Sequence, residues 1–407
     1  MAAAGDEPPD LPPTPDFDSY PIEAAIGHVA AEDDGRVVRL TWSDGRESRY
    51  HAIWLRDNGS DPENLNLGTR EQNTDITAIP PDIRAAEASV DSAGALVVRW
   101  TPGETVSRFH PGWLRVHDYS HGRRQDDAAG DKIVWDGASL PVPPTFDGAA
   151  ILEDDTVLED WLRAIAAYGI GLLRDVPAAP GMVARVAARI GPVRETNFGR
   201  LYDVQVRTGP GSNAYSAMAL TPHTDLPTRE YQPGLQFLHC VTNDAAGGAA
   251  LMVDGLRLAR HFETEEPAVY RALTEIPWPC SNRAEDTDYR WEGPVIRLDP
   301  AGRVAEVRVV PFIRAPLAVP FEQVDEAYGS LRAFFAAVND PAFQMRFDYH
   351  PGDLVGMDNR RVLHGRAAYD PAAGERWLQG CYVEREELDS RLRILARRRR
   401  EREVVVG

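Results

Sequence analysis

A histidine and a carboxylate stand two positions apart in the segment LTPHTDLPTREYQPGLQFLHC, as His223 and Asp225. In extended backbone, residues i and i+2 project from the same face, so both side chains can reach one metal ion. Two donors do not hold an iron ion, and a third ligand must come from elsewhere in the chain. Among the ten histidines, His364 is the candidate, because it follows the run DLVGMDNRRVL and opens HGRAAY. His239, within QFLHC, has apolar neighbours and is predicted to be a core histidine whose ring nitrogens have hydrogen-bond partners.

Two histidines and one carboxylate form the facial ligand set of non-haem iron(II) oxygenases, which leaves three positions on the metal open. Arg376 lies twelve positions after His364. It is predicted to lie on the next strand, where its guanidinium can form a two-pronged pair with a carboxylate. The spacing alone leaves other interpretations open, since zinc accepts the same ligands.

The elements that must position these residues are mainly β-strands with flanking helices. Alternating runs such as RVVRLTWSDG and ALVVRWTPG predict a small β-rich domain over residues 21–120. Residues 149–396 carry many short strands, frequent Pro and Gly turns and helices near 257–275 and 321–338. This pattern predicts a β-sandwich or a double-stranded β-helix (jelly roll) with helices packed outside. The remaining segments are predicted to be a disordered Pro-rich tail (1–20), a linker (121–148) and a basic C-terminal tail (397–407).

Charge and composition exclude several partners. The chain has 44 basic and 63 acidic residues and a net charge of -19, which opposes binding to nucleic acid or to an anionic membrane. No apolar run approaches the roughly 20 residues of a membrane span. The N-terminus lacks the features of a signal peptide. Three scattered cysteines in apolar surroundings predict reduced core thiols and a cytoplasmic protein.

A resemblance to a known family rests on several segments in the same order. They are NAYSAMALTPHTDLPTREYQPGLQFLHC, GGAALMVDG and GDLVGMDNRRVLHGRAAYD, together with RLTWSDGRESRYHAIWLRDN near the N-terminus. The chain resembles the γ-butyrobetaine hydroxylase and trimethyllysine hydroxylase family, which belongs to the taurine-dioxygenase-like iron(II)/2-oxoglutarate oxygenases. The resemblance implies a jelly-roll catalytic domain at 149–396 behind a small N-terminal domain, and it leaves a family-like homodimer open.

The same resemblance implies roles for individual residues. Iron(II) would be bound by His223, Asp225 and His364, and 2-oxoglutarate by Arg376, with Arg366 next in line. O2 would be the second co-substrate, and ascorbate a candidate reductant.

The family holds the trimethylammonium group of its substrate in an aromatic cage, and the matching positions are aromatic here. They are Phe198, Tyr202, Tyr215 and Tyr382. A quaternary ammonium cannot donate hydrogen bonds, so ring faces are its best partners, each worth about 0.5–2 kcal/mol. The resemblance therefore implies a small quaternary-ammonium substrate.

Two departures from the family pattern concern metal and co-substrate binding. The run GSDPENLNLG after WLRDN holds no cysteine, so the zinc site that animal relatives carry there is not expected in this N-terminal domain. Ala250 ends GGAA, where the family has Ser or Thr. If that hydroxyl helps to hold 2-oxoglutarate, its loss costs about 0.5–1.5 kcal/mol.

A third departure concerns the anionic end of the substrate. Val310 and Pro311 stand where the family commonly has paired asparagines. Arg314 and Asn213 are the candidates that could replace them, and for Arg314 a surface position is an equal alternative.

These observations predict an Fe(II)- and 2-oxoglutarate-dependent dioxygenase that hydroxylates an unactivated C–H bond of a small betaine. The first candidate reaction is the conversion of γ-butyrobetaine to L-carnitine, a reaction of carnitine biosynthesis. Trimethyllysine and a trimethylammonium phosphonate are alternative substrates, because the anionic end is altered. An alternative of another class is a catalytically silent betaine-binding protein, which only Ala250 supports.

Overall fold

The computed structural model describes residues 20–122, 131–206 and 217–406. Its contacts divide the chain into two compact units, with the boundary between residues 126 and 127. Each unit has a core of its own.

The first unit consists of two halves of the same design. Each half has a three-stranded antiparallel sheet whose strands follow chain order, and each ends in a six-residue helix. The first half comprises β1 (Ile26–Glu32), β2 (Val37–Trp42), β3 (Glu47–His51) and α1 (Ala52–Asp57), and the second comprises β4 (Arg84–Val90), β5 (Leu96–Thr101), β6 (Val106–Phe109) and α2 (Pro111–Val116). A short 3-10 helix, Ile76–Ala78, lies between them in the chain.

In the first half, a buried tryptophan donates a hydrogen bond to a buried serine, and that serine donates to a carboxylate of the second half. The Trp42 indole N–H donates to Ser48 Oγ at 2.8 Å, and the Ser48 hydroxyl donates to Asp118 Oδ2 at 2.7 Å. Asp118 follows α2 in the chain, so the bond joins the two halves.

The second half has the same arrangement, but here the carboxylate comes from the first half. The Trp100 indole donates to Ser107 Oγ at 2.9 Å, and Ser107 donates to Asp61 Oδ2, also at 2.9 Å. Asp61 follows α1 of the first half. Each half therefore supplies the acceptor that the other half needs.

The second unit contains most of the chain, and its first part includes the strand that carries His223. These are β7 (Thr145–Asp147), α3 (Asp155–Tyr168), β8 (Ile170–Arg174), α4 (Met182–Ala188), β9 (Val193–Arg194), β10 (Tyr202–Val204), β11 (Leu220–His223), β12 (Leu235–Asn243), β13 (Ala246–Gly247) and β14 (Ala250–Asp254). The second part of the unit comprises α5 (Gly255–Glu265), α6 (Pro267–Glu275), β15 (Trp278–Ala284), β16 (Thr287–Gly293), β17 (Ile296–Leu298), β18 (Val304–Val307), α7 (Val324–Asn339), β19 (Gln344–Phe347), β20 (Leu354–Asp358), β21 (Val362–Arg366), β22 (Tyr369–Asp370), β23 (Arg376–Val383) and α8 (Arg385–Val406). A 3-10 helix, Phe321–Gln323, leads into α7.

Two sheets form the jelly roll of this unit. The major sheet has the order β10-β23-β12-β20-β8-β7, with β9 also paired to β23, and the minor sheet has the order β11-β21-β14-β19. All pairs are antiparallel except β7 with β8. Because strand neighbours lie far apart in sequence, the sheets bring together side chains that no local pattern could connect. This confirms the predicted double-stranded β-helix with few helices.

The apolar residues of the second unit form three clusters. One packs α3, α4 and α8 against the major sheet, with Trp161 and Phe237 among its largest members. A second packs α5, α6 and α7 together and includes Phe262 and Phe334. The third includes Leu238 of the major sheet with other residues of both sheets, beside the cavity described below. The first two clusters thus pack helices against the two sheets that carry the site.

The structure differs from the predicted organisation in three places. Part of the predicted linker belongs to the second unit, because Trp135 is buried there and β7 falls within 121–148. The predicted C-terminal tail (397–407) is not a separate segment, because α8 continues to Val406; its RRRRER run ends a helix, as its position after LDSRLRILARR indicated. The helix predicted near 257–275 is two helices, because Pro267 lacks the N–H that would continue α5. None of the helices in the described ranges has the length and apolar character needed to span a bilayer.

Candidate metal and substrate site

Two histidines and one aspartate converge where β11 and β21 lie side by side. The two strands pair antiparallel, with His223 opposite His364, and their imidazole centroids lie 4.5 Å apart. Asp225 Oδ1 lies 3.2 Å from His223 Nε2 and 3.6 Å from His364 Nε2. Within the described ranges, no other group of three His, Cys, Asp or Glu residues could hold a metal ion.

The backbone around Asp225 is fixed by buried amide side chains. Its N–H donates to Asn359 Oδ1 at 2.7 Å, and its carbonyl accepts from Asn359 Nδ2 at 3.1 Å and from Gln232 Nε2 at 2.8 Å. The next residue, Leu226, has a positive φ of 54°. Non-glycine residues adopt this region uncommonly, and such strain clusters at functional sites. The turn thus aims the carboxylate back toward the two imidazoles.

The protonation of the three groups suits metal binding. His223 Nδ1 lies 2.9 Å from the Thr221 carbonyl and donates to it, which leaves the Nε2 lone pair directed at the centre of the group. Burial lowers the pKa of His364 to about 4, so its ring is neutral at neutral pH. Burial alone would raise the pKa of the Asp225 carboxyl, but His364, His223 and a hydrogen bond from Tyr382 outweigh it and hold that pKa well below its usual range. The set offers the Nε2 atom of His223, the neutral ring of His364 and one carboxylate, and iron(II) accepts ligands of these types.

The two arginines lie in the same cavity, on β23 and β21. Both Arg376 and Arg366 are 5% exposed, and their guanidinium carbons each lie 5.4 Å from the centroid of Tyr369. In the part of the chain that the structure describes, Arg376 has no carboxylate partner and its Nε has no acceptor; only its Nη2 donates weakly, at 3.4 Å, to the Gly248 carbonyl. Burial lowers the pKa of both guanidinium groups. A buried guanidinium that has no carboxylate partner among the described residues, as in Arg376, is a binding site for an anion.

Gly248 allows Arg376 to reach the cavity. It has a positive φ of 75°, and a Cβ there would lie 3.1 Å from Arg376 Nε. The GG pair of the sequence motif is therefore required by backbone conformation and by space. Ala250, two residues later, lines the same cavity and is 2% exposed.

Three of the four predicted cage residues line the cavity. Tyr202 and Tyr382 are stacked, with ring centroids 5.0 Å apart and planes at 24°, and Phe198 lies at the cavity with 37% of its surface exposed. Burial raises the pKa of both tyrosines well above the ordinary value, so both phenols stay neutral. Tyr215 and Asn213 lie outside the described residues.

The cavity has a volume of about 320 Å³, and its lining includes the predicted metal and 2-oxoglutarate residues as well as predicted cage residues. The metal-ligand candidates, both arginines and three aromatic residues line it together with further residues: Val204, Leu220, Leu226, Pro227, Thr228, Gln236, Leu238, Ala250, Met252, Asn282, Val310, Phe312, Ile313, Tyr349, Gly365 and Leu378. Arg314 is not among them. Its side chain is exposed, and its Nε donates to the Pro311 carbonyl at 3.0 Å. The structure therefore places Arg314 at the surface, which was the alternative interpretation.

Several residues of the site escaped the sequence analysis. Gln236, 1% exposed, contacts Asp225, and Phe312 packs edge-on against His223 with ring centroids 5.1 Å apart. Asn282 lines the cavity from β15. A signal existed only for Gln236, because an amide in the middle of the apolar run GLQFLHC is a buried polar group that needs partners.

Comparisons with known proteins agree with this arrangement. Residues 136–382 match the family described as taurine catabolism dioxygenase TauD, TfdA, and residues 29–115 match the family described as gamma-butyrobetaine hydroxylase-like, N-terminal. The chain is 42% identical to gamma-butyrobetaine dioxygenase of Pseudomonas sp. (strain AK-1), over 94% of this chain and 99% of that protein. It is 28% identical to the human gamma-butyrobetaine dioxygenase, over 93% and 99%. It is also 26% identical to trimethyllysine dioxygenase of Meyerozyma guilliermondii, over 90% and 95%.

Proposed function

The chain belongs to the TauD, TfdA family of dioxygenases, and on that premise we propose that it hydroxylates a small quaternary-ammonium substrate, with γ-butyrobetaine as the first candidate. The observation that carries this proposal is the stacked pair Tyr202 and Tyr382 in the same cavity as the His223, Asp225 and His364 group. The relative at 42% identity, named for γ-butyrobetaine, supports the choice of substrate.

His223, Asp225 and His364 would hold the iron(II) ion that this family uses. The fit rests on the chemistry of the set: each side chain offers one ligand atom, and these atoms lie within 4.8 Å of one another. Arg376 would hold the far carboxylate of 2-oxoglutarate, because it is a buried cation without a carboxylate partner among the described residues. Bound iron(II) with 2-oxoglutarate and O2 supplies the oxidant that breaks an unactivated C–H bond and delivers the hydroxyl oxygen.

The protein's own contribution is to bind and orient the substrate. The faces of Tyr202, Tyr382 and Phe198 would hold the trimethylammonium group, since ring faces attract a cation that has no N–H to donate. The neutral phenols add no charge, and the stacked pair sets the rings in one orientation. Fixing the cation in this way fixes which carbon of the chain faces the metal.

The residues available to bind the anionic end of the substrate differ from those common in relatives. Val310 lines the cavity where an asparagine is common in relatives, and Arg314 is exposed outside it. Asn282, Thr228 and Tyr349 are polar cavity residues of the described part that could serve this end, and Asn213 remains a candidate. Trimethyllysine is the second candidate substrate, supported by the similarity to trimethyllysine dioxygenase.

The test is 2-oxoglutarate turnover, followed as succinate, with a panel of trimethylammonium compounds and their dimethylamine analogues. The dimethyl form keeps an N–H that ring faces satisfy poorly, so the wild type should prefer the trimethyl form. Phe198→Leu should narrow that preference and raise the Michaelis constant about 2- to 30-fold, from the 0.5–2 kcal/mol of one ring face. Equal turnover of trimethyl and dimethyl compounds by the wild type would contradict the proposed aromatic cage. Absence of succinate with every betaine that binds would favour the catalytically silent binding protein.

Two further proposals concern conditions. Ascorbate is the candidate reductant that keeps the iron in the ferrous state, and its omission should reduce total turnover. A cytoplasmic location is supported by three cysteines that are buried and unpaired. Fractionation of the source cells would test it.

A further inference from the structure

The two oxygens of Asp225 have different surroundings. Oδ1 faces both imidazole Nε2 atoms of the metal group, at 3.2 and 3.6 Å. Oδ2 accepts two hydrogen bonds instead: one from the Tyr382 hydroxyl at 2.6 Å and one from Gln236 Nε2 at 2.7 Å. The carboxylate thus presents one oxygen to the metal position while two donors hold the other.

Both donors are committed to this carboxylate by their own chemistry. An ionised carboxylate only accepts hydrogen bonds, so the Gln236 group that faces it must be the NH2, which also donates to the Tyr202 hydroxyl at 2.9 Å. The Tyr382 phenol has a single proton, and its short bond to Oδ2 uses it. Both side chains are buried, at 1% and 4% exposure, so water does not compete for them.

We propose that Tyr382 and Gln236 are positioning residues that keep Asp225 a ligand through one oxygen only. This inference rests on the proposed iron site. If both oxygens of Asp225 bound the metal, the ligand set would occupy four positions instead of three. One of the positions required for the two donor atoms of 2-oxoglutarate and for O2 would then be lost. Hydrogen bonds around a metal ligand commonly change affinity or activity 10- to 100-fold.

Tyr382 then has two separable parts. Its ring face belongs to the proposed cage, through its stack with Tyr202, while its hydroxyl belongs to the metal centre. Tyr382→Phe keeps the ring and removes the hydroxyl. It should leave the preference for trimethyl over dimethyl substrates intact and alter only the metal centre.

The experiment counts water molecules on bound Mn(II) by electron paramagnetic resonance in 17O-enriched water. The proteins are the wild type, Tyr382→Phe, Gln236→Leu and the double variant. Tyr349→Phe is the matched control, because it removes a buried hydroxyl from the same cavity without a contact to Asp225. The wild type and the control should show three waters, and the double variant two. Affinity of the Mn(II)-loaded double variant for 2-oxoglutarate should fall at least tenfold.

The outcomes separate the two levels of the proposal. A wild type that binds no Mn(II) would contradict the iron site itself, whereas a wild type with two waters would mean that both oxygens of Asp225 bind the metal and would overturn the positioning role. A double variant that keeps three waters and unchanged 2-oxoglutarate affinity would overturn the positioning role while leaving the iron site in place. If the double variant fails to fold in a thermal melt, the two single variants decide on the same readouts, and wild-type values in both would overturn the role.

Discussion

Replacing Arg376 with methionine tests the co-substrate end of the site most directly. The guanidinium is 5% exposed and makes only one long hydrogen bond, at 3.4 Å to Gly248, within the described structure. Methionine has similar length and no charge. The substitution therefore removes the proposed anion partner and breaks little else.

The expected loss can be worked from these contacts. A hydrogen bond to a charged group contributes about 1.5–3 kcal/mol. Since about 1.4 kcal/mol is a factor of ten, the apparent affinity for 2-oxoglutarate should fall about 10- to 150-fold. Folding stability should not fall, because a buried cation with no carboxylate partner in the described structure costs desolvation free energy that the variant no longer bears.

The assay is titration of 2-oxoglutarate at saturating iron and betaine, followed as succinate, with a thermal melt of the same protein. Affinity for the betaine is the internal control and should change little. Arg366→Met is the comparison, since Arg366 lies in the same cavity and is equally buried. An unchanged 2-oxoglutarate requirement in Arg376→Met would refute the assignment, and a large increase in Arg366→Met alone would transfer the role to that residue.

Three further outcomes are expected. Asp225→Ala should abolish hydroxylation at saturating iron and leave the protein folded, and more than a few per cent of wild-type turnover would contradict the ligand set. Ala250→Ser restores a hydroxyl at a buried cavity position and should tighten 2-oxoglutarate binding about 2- to 12-fold, from one hydrogen bond of about 0.5–1.5 kcal/mol; an unchanged affinity would mean that the hydroxyl has no part in binding. Burial lowers the pKa of His239 to about 4 from the ordinary 6.5, so the folded protein binds fewer protons than the unfolded chain and loses stability as pH falls through that window. The free energy of unfolding, measured with urea at pH 7 and at pH 4.5, should fall less in His239→Leu than in the wild type, by up to about 3 kcal/mol. Equal falls in the variant and the wild type would exclude His239 as the cause.

The sequence predicted the site best where the residues concerned lie close together in the chain. The His-x-Asp spacing on extended backbone placed His223 and Asp225 together, and the three cysteines are buried and unpaired as composition indicated. His239 is fully buried as its apolar neighbours predicted, but neither ring nitrogen has a hydrogen-bond partner in the described structure, so that part of the prediction was wrong. The third ligand depended on a strand pairing across more than a hundred residues, which no period in the sequence specifies. His364 was therefore chosen from its local context, after a predicted strand and turn and ahead of Arg376, and the family resemblance supported that choice.

The sequence left one position open and missed another. Arg314 was either a pocket residue close to Val310 and Pro311 or a surface charge, and only the fold shows that it faces outward. Gln236 was missed because the partner of a buried amide depends on which strands flank it, here β20 and β23. The single helix predicted near 257–275 continued through Pro267, although a proline at the first turn of a new helix fits that position better.

The exchanged aspartates of the first unit have a consequence for its folding. Ser48 and Ser107 are fully buried, and each gives its hydroxyl proton to a carboxylate from the opposite half. A chain that held one half alone would leave a buried hydroxyl and its tryptophan partner without that acceptor. Because the exchange is reciprocal, neither half can satisfy its buried serine without the other, and the two halves are expected to fold as one cooperative unit.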